Sequence, residues 1–427
     1  MIGSNQSIHR TEVNNDVSEI DIIGGSAAGL FAGYLLAREG KRVRLFDAND
    51  VLNVNSRTLI TTSCLTEVLG FFPEEAVVNR IDQIDLHSPA RSVAIPMAEP
   101  DLVVERATVV RMLARKAIDA GVEIRGGCKL INLETGAGGA TVTIRDTHRG
   151  RVEEFKSKTL IGADGMSSRV ARTTTGNGHD TTPLLQAIVE LPRGSRAGTT
   201  QVWFEPQDTP YFYWLIPQSQ THAAVGFIVD DGKTAKAKLE RFLARIGLRP
   251  IEMQSARIPC YAHFTRPWRR TAGCAIYLVG DAAAQVKVTT VGGLVTGLRG
   301  AKAAAYAILR RSDYAKELRA LKRELSLHLL IRSVLNRFQS GDYDRLLELL
   351  NEQTIKLLGA HNRDHASKIL CRLLLAQPRL LSLAGILSRG IWQGSARQSR
   401  RVQPYSVEYE MMQPRGISAR DDADGVC

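Results

Sequence analysis

The chain has 427 residues, 44% of them hydrophobic and 23% charged, with 56 Lys and Arg against 44 Asp and Glu. This length and apolar fraction suit one large or two to three modest domains, and they exclude a disordered chain, a disulfide mini-scaffold and a coiled coil. The net charge of +12 raises the question of a nucleic acid, an acidic substrate or an anionic membrane as partner.

Cysteine usage and the start of the chain indicate a cytoplasmic protein. Six scattered cysteines without a CxxC pair are typical of a reducing compartment, not of a disulfide framework or a zinc site. Residues 1–18 are polar, lack the regions of a secretory signal, and predict a flexible leader. The most apolar stretch, residues 373–392, is interrupted by Gln377, Pro378 and two arginines, so no spanning helix is predicted. We expect a cytoplasmic protein that is soluble or lies on a membrane.

The first half of the chain alternates short apolar strands with helices. The segment EIDIIGG, from Glu19, predicts a buried strand that runs into glycines; LFAGYLLAREG then predicts a helix, and KRVRLFD a second strand. A further helix is predicted at ERATVVRMLARKAIDAG, followed by the strands VEIR, ATVTIRD and SKTLIG. This order predicts a dinucleotide-binding domain over residues 19–175, completed by a strand and a helix within 271–310.

The second half of the chain changes character twice. Residues 176–270 carry aromatic and alternating segments, which predict an antiparallel sheet forming a substrate domain. Residues 311–395 are nearly all helical by pattern, and residues 396–427, rich in Gln, Ser and Arg, predict a tail.

A glycine-containing turn follows the first strand and opens the first helix. In GGSAAG, Ser26 replaces the middle glycine of the GxGxxG pattern, and Asp47 ends the second strand. A helix N-terminus at such a turn binds a pyrophosphate, and an acid at the end of the second strand accepts hydrogen bonds from a ribose. The candidate cofactor-binding residues here are Gly24, Gly25, Ser26, Ala27, Ala28, Gly29 and Asp47.

Two further Gly-Asp turns follow predicted strands, GADGMSSR at 162–169 and GDAA at 280–283. Each places a carboxylate at the carboxyl end of a strand, where open α/β sheets bind ligands. The three turns in this order resemble the FAD-dependent oxidoreductases of the glutathione-reductase fold type, which include aromatic hydroxylases, flavin halogenases and geranylgeranyl reductases. The resemblance implies an α/β fold: a Rossmann-like FAD-binding domain, a discontinuous antiparallel-sheet substrate domain and a C-terminal helical region.

The resemblance also assigns residues to FAD. The first turn would hold the pyrophosphate, the second would lie near it and near a nicotinamide path, and the third would contact the ribityl chain and the pyrophosphate. The family's flavin-contacting arginine matches Arg106, at the start of a predicted helix, while Arg57 is a weaker match. The residues assigned in this way are Arg57, Arg106, Leu130, Asp164, Gly165, Gly280 and Asp281.

Within this group, the geranylgeranyl reductases are the most similar. The stretch GDAAAQVKVTTVGGLVTGL resembles their GDAAGQVKPTTGGG segment, from which Ala284, Val288 and Val291 depart. Gly292 and Gly293 remain, and they are cofactor-binding candidates because only backbone can closely approach the isoalloxazine edge. The C-terminal helical stretches also resemble the family's extension, so the resemblance covers roughly residues 20–390.

The aromatic run YFYWLIP, at 211–217, is the substrate-binding candidate. It is similar to the YxWxFP motif of prenyl reductases and to the WxIP half of the halogenase motif GWxWxIP. In a strand, Phe212, Trp214 and Ile216 share one face, which predicts an apolar trough for an isoprenoid or aromatic substrate. A core strand of the sheet would show the same pattern, so that alternative stays open.

The sequence offers candidates for catalysis but no assigned proton donor: Tyr213, Trp214, Cys64 and Lys287. Cys64 lies where prenyl reductases often carry a cysteine near the flavin, although their flanking glycines are missing here and a buried apolar role is the alternative. Lys287 lies in the third-turn segment, where a solvated lysine is equally expected. His361 and His365 are spaced i, i+4 without a carboxylate ligand, so no metal site is predicted.

We expect an FAD-dependent oxidoreductase that reduces carbon–carbon double bonds of a geranylgeranyl-type isoprenoid by hydride from reduced flavin N5. Its electrons would come from NAD(P)H or a reduced electron carrier. The alternative is a flavin monooxygenase, a hydroxylase or epoxidase rather than a halogenase, acting through a C4a-peroxyflavin. A non-catalytic flavoprotein scaffold is a third hypothesis.

The positive charge is concentrated in the C-terminal third. Residues 301–427 hold 21 Lys and Arg against 13 Asp and Glu, interleaved with leucines in stretches such as KILCRLLLAQPRLLSLAGILSR. No nucleic-acid motif appears, so we expect no nucleic-acid partner. Basic amphipathic helices predict peripheral contact with an anionic membrane, with an ordinary solvated helical cap as the alternative.

Overall fold

The computed structural model describes residues 12–13, 19–52, 55–175, 181–229, 232–259, 266–271, 273–310 and 313–386. The predicted leader, apart from residues 12–13, and the predicted tail 396–427 lie outside the described residues.

The described residues form strands that group into three sheets, and eleven helices. The strands are β1 (Glu12–Val13), β2 (Ile20–Ile23), β3 (Val43–Phe46), β4 (Thr58–Thr61), β5 (Val77–His87), β6 (Ser92–Glu105), β7 (Glu123–Arg125), β8 (Cys128–Gly136), β9 (Gly139–Asp146), β10 (Arg151–Ser157), β11 (Thr159–Gly162), β12 (Thr181–Glu190), β13 (Thr199–Trp203), β14 (Tyr213–Pro217), β15 (His222–Ile228), β16 (Pro250–Pro259), β17 (Trp268–Arg270) and β18 (Ala275–Leu278). The helices are α1 (Ala27–Ala37), α2 (Cys64–Leu69), α3 (Arg106–Asp119), α4 (Arg169–Thr175), α5 (Gly232–Arg245), α6 (Leu294–Ile308), α7 (Tyr314–Leu335), α8 (Ser340–Glu348), α9 (Glu352–Ala360), α10 (Ala366–Ala376) and α11 (Leu381–Ala384).

The first sheet has six strands, in the order β17-β18-β11-β2-β3-β7. All neighbours pair in parallel except the edge strand β17. Its central strands β2 and β3 are buried along their whole length, because helices cover a parallel sheet on its faces. Helices α1, α3 and α6 pack together beside it, so the two predicted parts of the domain, 19–175 and 271–310, meet in one core.

A second sheet has eight strands, in the order β16-β12-β15-β14-β13-β5-β6-β4, and it contains strands β12 to β16 from the predicted substrate stretch 176–270. It differs from the prediction in two respects. Strands β4, β5 and β6, within residues 58–105, belong to this sheet, although the sequence placed that stretch in the nucleotide-binding domain. The pairing of β5 with β13 is parallel, so the sheet is mixed and not purely antiparallel.

Helix α5 lies within residues 176–270, where the sequence predicted only strands. Its Leu239, Phe242 and Leu243 are buried against the eight-stranded sheet, in one core with Tyr213 and Phe227. The spacing of these apolar residues is helical, and we overlooked it because aromatic strand-like segments surround it. A third, four-stranded sheet, β1-β10-β9-β8, lies beside the six-stranded sheet, and helices α7 to α11 form the predicted C-terminal helical region.

Candidate functional site

The first glycine turn is shaped by backbone packing. Gly24 has a φ of +108°, and a Cβ placed on it would lie 2.3 Å from the carbonyl oxygen of Ala163. A Cβ on Gly29 would lie 2.2 Å from the Gly24 carbonyl oxygen. No side chain fits at either position, so these glycines are required for the close approach of α1 to its strand and to β11.

Ser26, which replaces the middle glycine, caps α1. Its extended backbone precedes the helix, and its Oγ accepts a hydrogen bond from the Gly29 N–H at 3.3 Å. Asp47 braces the same turn, since its carboxylate accepts hydrogen bonds from the N–H groups of Gly25 and Asn49 at 2.5 and 2.8 Å. The helix therefore begins at Ala27 with an N-terminus suited to a phosphate.

The second turn uses its carboxylate locally. Asp164 accepts hydrogen bonds from the Arg169 and Val170 N–H groups at 2.7 and 3.2 Å, and from the Ser168 hydroxyl. Burial raises the pKa of this carboxyl, and the hydrogen bonds oppose that rise. Gly165 takes a positive φ of +75° within the turn. These contacts hold the start of α4, so Asp164 has a structural task beside the predicted cofactor contact.

Two arginines converge beside the third turn. The Arg106 N–H donates to the Arg57 carbonyl at 2.9 Å, where β4 pairs with β6. Burial lowers the pKa of Arg57, the Arg106 guanidinium lowers it further, and the Asp281 carboxylate opposes this effect. Two guanidiniums held close together favour an anionic group such as a pyrophosphate. The structure thus brings together three residues that the sequence assigned to FAD separately.

The segment from Gly280 to Gly293, here called the GD segment, is held by α6. The side chain of Gln285 accepts a hydrogen bond from the Gly280 N–H at 2.8 Å. Gly300 makes room for that side chain, because a Cβ there would lie 1.9 Å from Gln285 Oε1. Gly297 lets α6 approach the Gly280 backbone closely, with 3.1 Å from a Cβ placed on it to the Gly280 Cα.

Two of the three departures from the prenyl-reductase segment carry positive φ angles. Ala284 has a φ of +49° and Val291 of +55°, where the related segment has glycines. An L-residue in this region is strained, and a β-branched valine more so. The third departure, Val288, is buried where the related segment has proline.

Lys287 is not a solvated lysine. Its ammonium lies 2.5 Å from Asp364 Oδ1, and both side chains are nearly fully buried. Asp364 also accepts a hydrogen bond from the Thr62 hydroxyl, and the adjacent Arg363 forms an ion pair with buried Asp101 at 2.5 Å. Burial lowers the pKa of Lys287, and Asp364 opposes that effect. The short helical turn at 363–365 thus connects three elements. Asp364 binds Lys287 of the GD segment and Thr62 just before α2, and Arg363 binds Asp101 of β6.

Cys64, the first residue of α2, is buried in the same neighbourhood. Its Sγ lies 3.5 Å from an Arg299 guanidinium nitrogen and 3.7 Å from His365 Nε2. Burial, and then Asp364, raise the pKa of this thiol to about 11, while Arg299 acts in the opposite direction. Cys64, Glu67 and His365 bring possible metal-ligand atoms within 4.8 Å of one another, a grouping the sequence analysis did not foresee. His361 instead bonds to the Leu357 carbonyl of its own helix.

A further histidine, His328 on α7, contacts the GD segment. Its Nδ1 lies 2.5 Å from the Thr289 hydroxyl, and burial followed by the charge of Lys287 lowers its pKa to about 4. Sequence analysis missed His328 and Asp364 because each is distant in sequence from every motif. The only sequence signal was a single polar residue among apolar ones, as for His328 within α7.

The aromatic strand β14 has two different faces, as predicted. Tyr213 is fully buried, stacks on Phe227 and Phe242, and donates its hydroxyl to Asp208 at 3.1 Å. Burial raises its pKa above the ordinary value, with Asp208 adding to the effect. This face is occupied by α5, so Tyr213 does not lie among the polar groups around the GD segment and is a core residue.

The other face carries Trp214, Ile216 and, just before the strand, Phe212. Gly226 on the paired strand makes room for the indole, since a Cβ there would lie 2.7 Å from Trp214. Phe212 lies edge-on to Trp214 and to Phe204, with ring centroids at 6.2 and 6.4 Å. Phe204 in turn stacks on Tyr343 of α8, so the C-terminal helices border this apolar face. Leu130, also assigned to FAD, packs in a core below the ends of β2 and β3.

The match to a known domain decides the family. Residues 17–311 match the model of the FAD binding domain family named FAD_binding_3. The chain belongs to this FAD-binding family. We expect its first turn, Asp47, Arg57, Arg106 and the GD segment to hold FAD, because close-packed glycines and cations suit a dinucleotide.

Relatives and solved structures narrow the comparison. The digeranylgeranylglycerophospholipid reductase of Methanocaldococcus jannaschii is 28% identical over 373 residues, which cover 79% of this chain and 92% of the relative. A geranylgeranyl bacteriochlorophyll reductase-like protein of Thermoplasma acidophilum matches the fold with a TM-score of 0.70 and 18% identity, over 88% of this chain and all of that one. A triple mutant of the flavin-dependent brominase Bmp2 matches with a TM-score of 0.62 and 17% identity, over 85% of this chain and all of that one.

These matches confirm an FAD-dependent oxidoreductase with the α/β architecture and the helical region that the sequence predicted. Among the described helices, none is long and apolar enough to cross a membrane.

Proposed function

We propose that the protein saturates carbon–carbon double bonds of an isoprenoid chain, carried by a lipid of the geranylgeranyl class. The observation that carries this proposal is the likeness to a digeranylgeranylglycerophospholipid reductase over nearly that relative's whole length, beyond the FAD-binding part. The face of Phe212, Trp214 and Ile216 supports it, because an isoprenoid offers only apolar surface to a protein.

When bound and reduced, FAD supplies the hydride for such a reaction, and the protein supplies the remaining needs. An unactivated alkene also takes up a proton, and the site must keep water from the cation-like centre that develops. The aromatic face holds the chain and excludes water. The backbone of the GD segment, fixed by the Lys287–Asp364 ion pair, borders the cofactor.

The proton comes, in this proposal, from Cys64. Its thiol keeps its proton at neutral pH, because burial and Asp364 raise the pKa to about 11. The Arg299 guanidinium, 3.5 Å from Sγ, stabilises the thiolate that proton donation leaves. His365 Nε2, 3.7 Å from the same sulfur, offers a path for reprotonation from solvent. Hydride and proton together complete the saturated bond, and the thiolate regains its proton from water.

Mass spectrometry of the lipid after anaerobic incubation with the dithionite-reduced holoenzyme tests this function. Each double bond reduced adds two hydrogens, and in D₂O both are deuterium, because dithionite supplies only electrons and the N5 hydrogen of reduced flavin exchanges with solvent. Cys64→Ser should lower turnover by a hundredfold or more if general acid catalysis is lost. Cys274→Ser is the matched control, since Cys274 is also buried and its pKa is also raised to about 11 by burial.

Retained turnover in Cys64→Ser would refute the role of the thiol without refuting the reduction. Turnover that requires oxygen and inserts oxygen into the substrate would instead support the monooxygenase alternative. The electron donor, NAD(P)H or a reduced carrier, is identified by replacing dithionite with each donor in turn.

A further inference from the structure

Helix α10 exposes a face of mixed basic and apolar character. Lys368, Cys371, Arg372 and Leu375 are spaced i, i+3, i+4, i+7, so they lie along one side of the helix, and all four are exposed. Leu375 is 81% exposed, the largest value among the exposed large hydrophobic residues of the described chain. Ile369, about 100° around the helix from Lys368, is buried.

The same surface continues beyond the end of α10. Arg379 and Leu381 are exposed, Leu381 by 56%, and Arg345 of α8 reaches this region with a hydrogen bond to Ser382 Oγ at 3.2 Å. Residues 366–386 contain three basic residues and no acidic residue. This surface is here called the basic leucine face, and it comprises Lys368, Cys371, Arg372, Leu375, Arg379, Leu381 and Arg345.

The basic leucine face starts beside the flavin site. Asp364, whose carboxylate binds Lys287 of the GD segment, lies two residues before the first residue of α10. An 11-residue helix is about 16 Å long. The face is therefore connected, through the short link from Asp364 to Ala366, to the segment that we expect to border the cofactor.

We propose that the basic leucine face docks the protein on an anionic phospholipid bilayer. Leucines of a surface helix enter the boundary between headgroups and acyl chains, while neighbouring Lys and Arg side chains are attracted to anionic headgroups. The face carries both elements and is free of acidic side chains along α10 and α11. That docking brings a lipid-borne isoprenoid chain next to the flavin site rests on the proposed function. The docking itself does not depend on that function.

Co-sedimentation of the full-length holoenzyme with vesicles tests the docking. Vesicles of phosphatidylcholine with phosphatidylglycerol should bind at least tenfold more protein than vesicles of phosphatidylcholine alone, and added salt should weaken the binding. The double variant Leu375→Ser, Leu381→Ser, and separately Lys368→Gln with Arg379→Gln, should each lower binding tenfold or more. Ile251→Ser is the control, because Ile251 is 61% exposed on the edge strand β16 and next to Glu252.

Cys371 provides a second readout at the centre of the face, since it is exposed whereas Cys64, Cys128 and Cys274 are buried. With Cys260 and Cys427 changed to serine, an environment-sensitive fluorophore on Cys371 should shift to the blue when anionic vesicles are added. Equal binding to both vesicle types, or equal losses in the Ile251 control, would overturn the proposal. Neither readout involves turnover, so failure of docking is distinct from failure of the proposed reaction.

Discussion

The first glycine turn and the GD segment adopt left-handed backbone by different means. The first turn keeps glycine where φ is positive, at Gly24. The GD segment keeps Gly280 but places Ala284 and Val291 at φ angles of +49° and +55°. Glycine therefore allows the backbone of the first turn without strain, whereas the GD segment needs contacts with neighbouring residues to keep its backbone conformation.

Those neighbours are visible around the GD segment. The Val291 N–H donates to the Lys287 carbonyl at 2.6 Å, the Lys287 N–H donates to the Gly292 carbonyl at 3.1 Å, and the Lys287 ammonium is fixed by Asp364. Strain of about 1–3 kcal/mol for each such residue persists only where surrounding contacts determine the backbone. The C-terminal helical region, through Asp364, therefore helps to hold the GD segment, which is a candidate part of the flavin site.

The largest effect is expected at Gly24. In Gly24→Ala the new methyl meets backbone atoms of Ala163, which cannot move aside, so unfolding free energy should fall by about 4 kcal/mol or more and FAD should be lost. Chemical denaturation and the flavin absorbance per mole of protein measure both. Gly40→Ala is the control, because Gly40 has a φ of +77° with nothing near its Cβ position. Similar behaviour of the two variants would show that the first turn is not set by close packing.

Asp364 is the second position that sharpens the comparison. Asp364→Asn leaves the Lys287 ammonium buried without a counter-charge, which should cost about 3–5 kcal/mol and weaken FAD retention. The double variant Lys287→Met, Asp364→Leu removes both charges and should recover most of this stability. Glu352→Gln, in an exposed i, i+4 pair with Lys356, should cause no measurable change. A mild effect of Asp364→Asn would mean that the GD segment holds its own shape.

The lowered pKa of His328 predicts that the stability of the protein depends on pH. Its pKa falls from an ordinary value of 6.5 to about 4 in the folded protein, so between these values the unfolded chain binds more protons at this position. Stability should therefore be complete above pH 6.5 and decrease by up to about 3 kcal/mol as the pH falls to 4. The groups facing His328 are Lys287, Glu324 and Asp364. Urea unfolding across this range should show a flatter profile in His328→Gln; an unchanged profile would remove His328 as the source.

The smallest effect has the opposite sign. Ala284→Gly should stabilise the protein by about 1 kcal/mol, because glycine accepts the positive φ without strain. Ala283→Gly, one residue earlier in a right-handed helical turn, should instead destabilise it by about 1 kcal/mol. Thermal unfolding of the two variants separates these cases, and a loss of stability in both would contradict the strain at Ala284.

Sequence reasoning succeeded where function depends on local backbone. The strand, turn and helix around Gly24, the two later turns, and the alternation of Tyr213 with Trp214 follow from patterns within a few residues. It failed where partners are distant in sequence. No residue near Lys287 predicts its contact with Asp364, 77 residues away. Likewise, no pattern near residue 58 predicts that β4 joins a sheet containing β16.

The sequence also could not show which side chains are covered by other elements, because that depends on tertiary packing. Tyr213 was a catalytic candidate until α5, overlooked in the sequence, was found to cover it. Cys64 and His365 lie about 300 residues apart in the chain and meet only because the C-terminal helices fold back onto α2. The catalytic, substrate-binding and cofactor-contacting roles of the remaining candidates stay predictions for the experiments above.

In the proposed reaction, the reduced enzyme transfers its electrons to an isoprenoid double bond. Anaerobic stopped-flow mixing of the stoichiometrically reduced holoenzyme with a geranylgeranyl-bearing glycerophospholipid tests it most directly. We expect the absorbance of oxidised flavin to return in the absence of oxygen, with one double bond saturated per flavin reoxidised. Flavin that stays reduced until oxygen is admitted, with the lipid unchanged, would contradict the account.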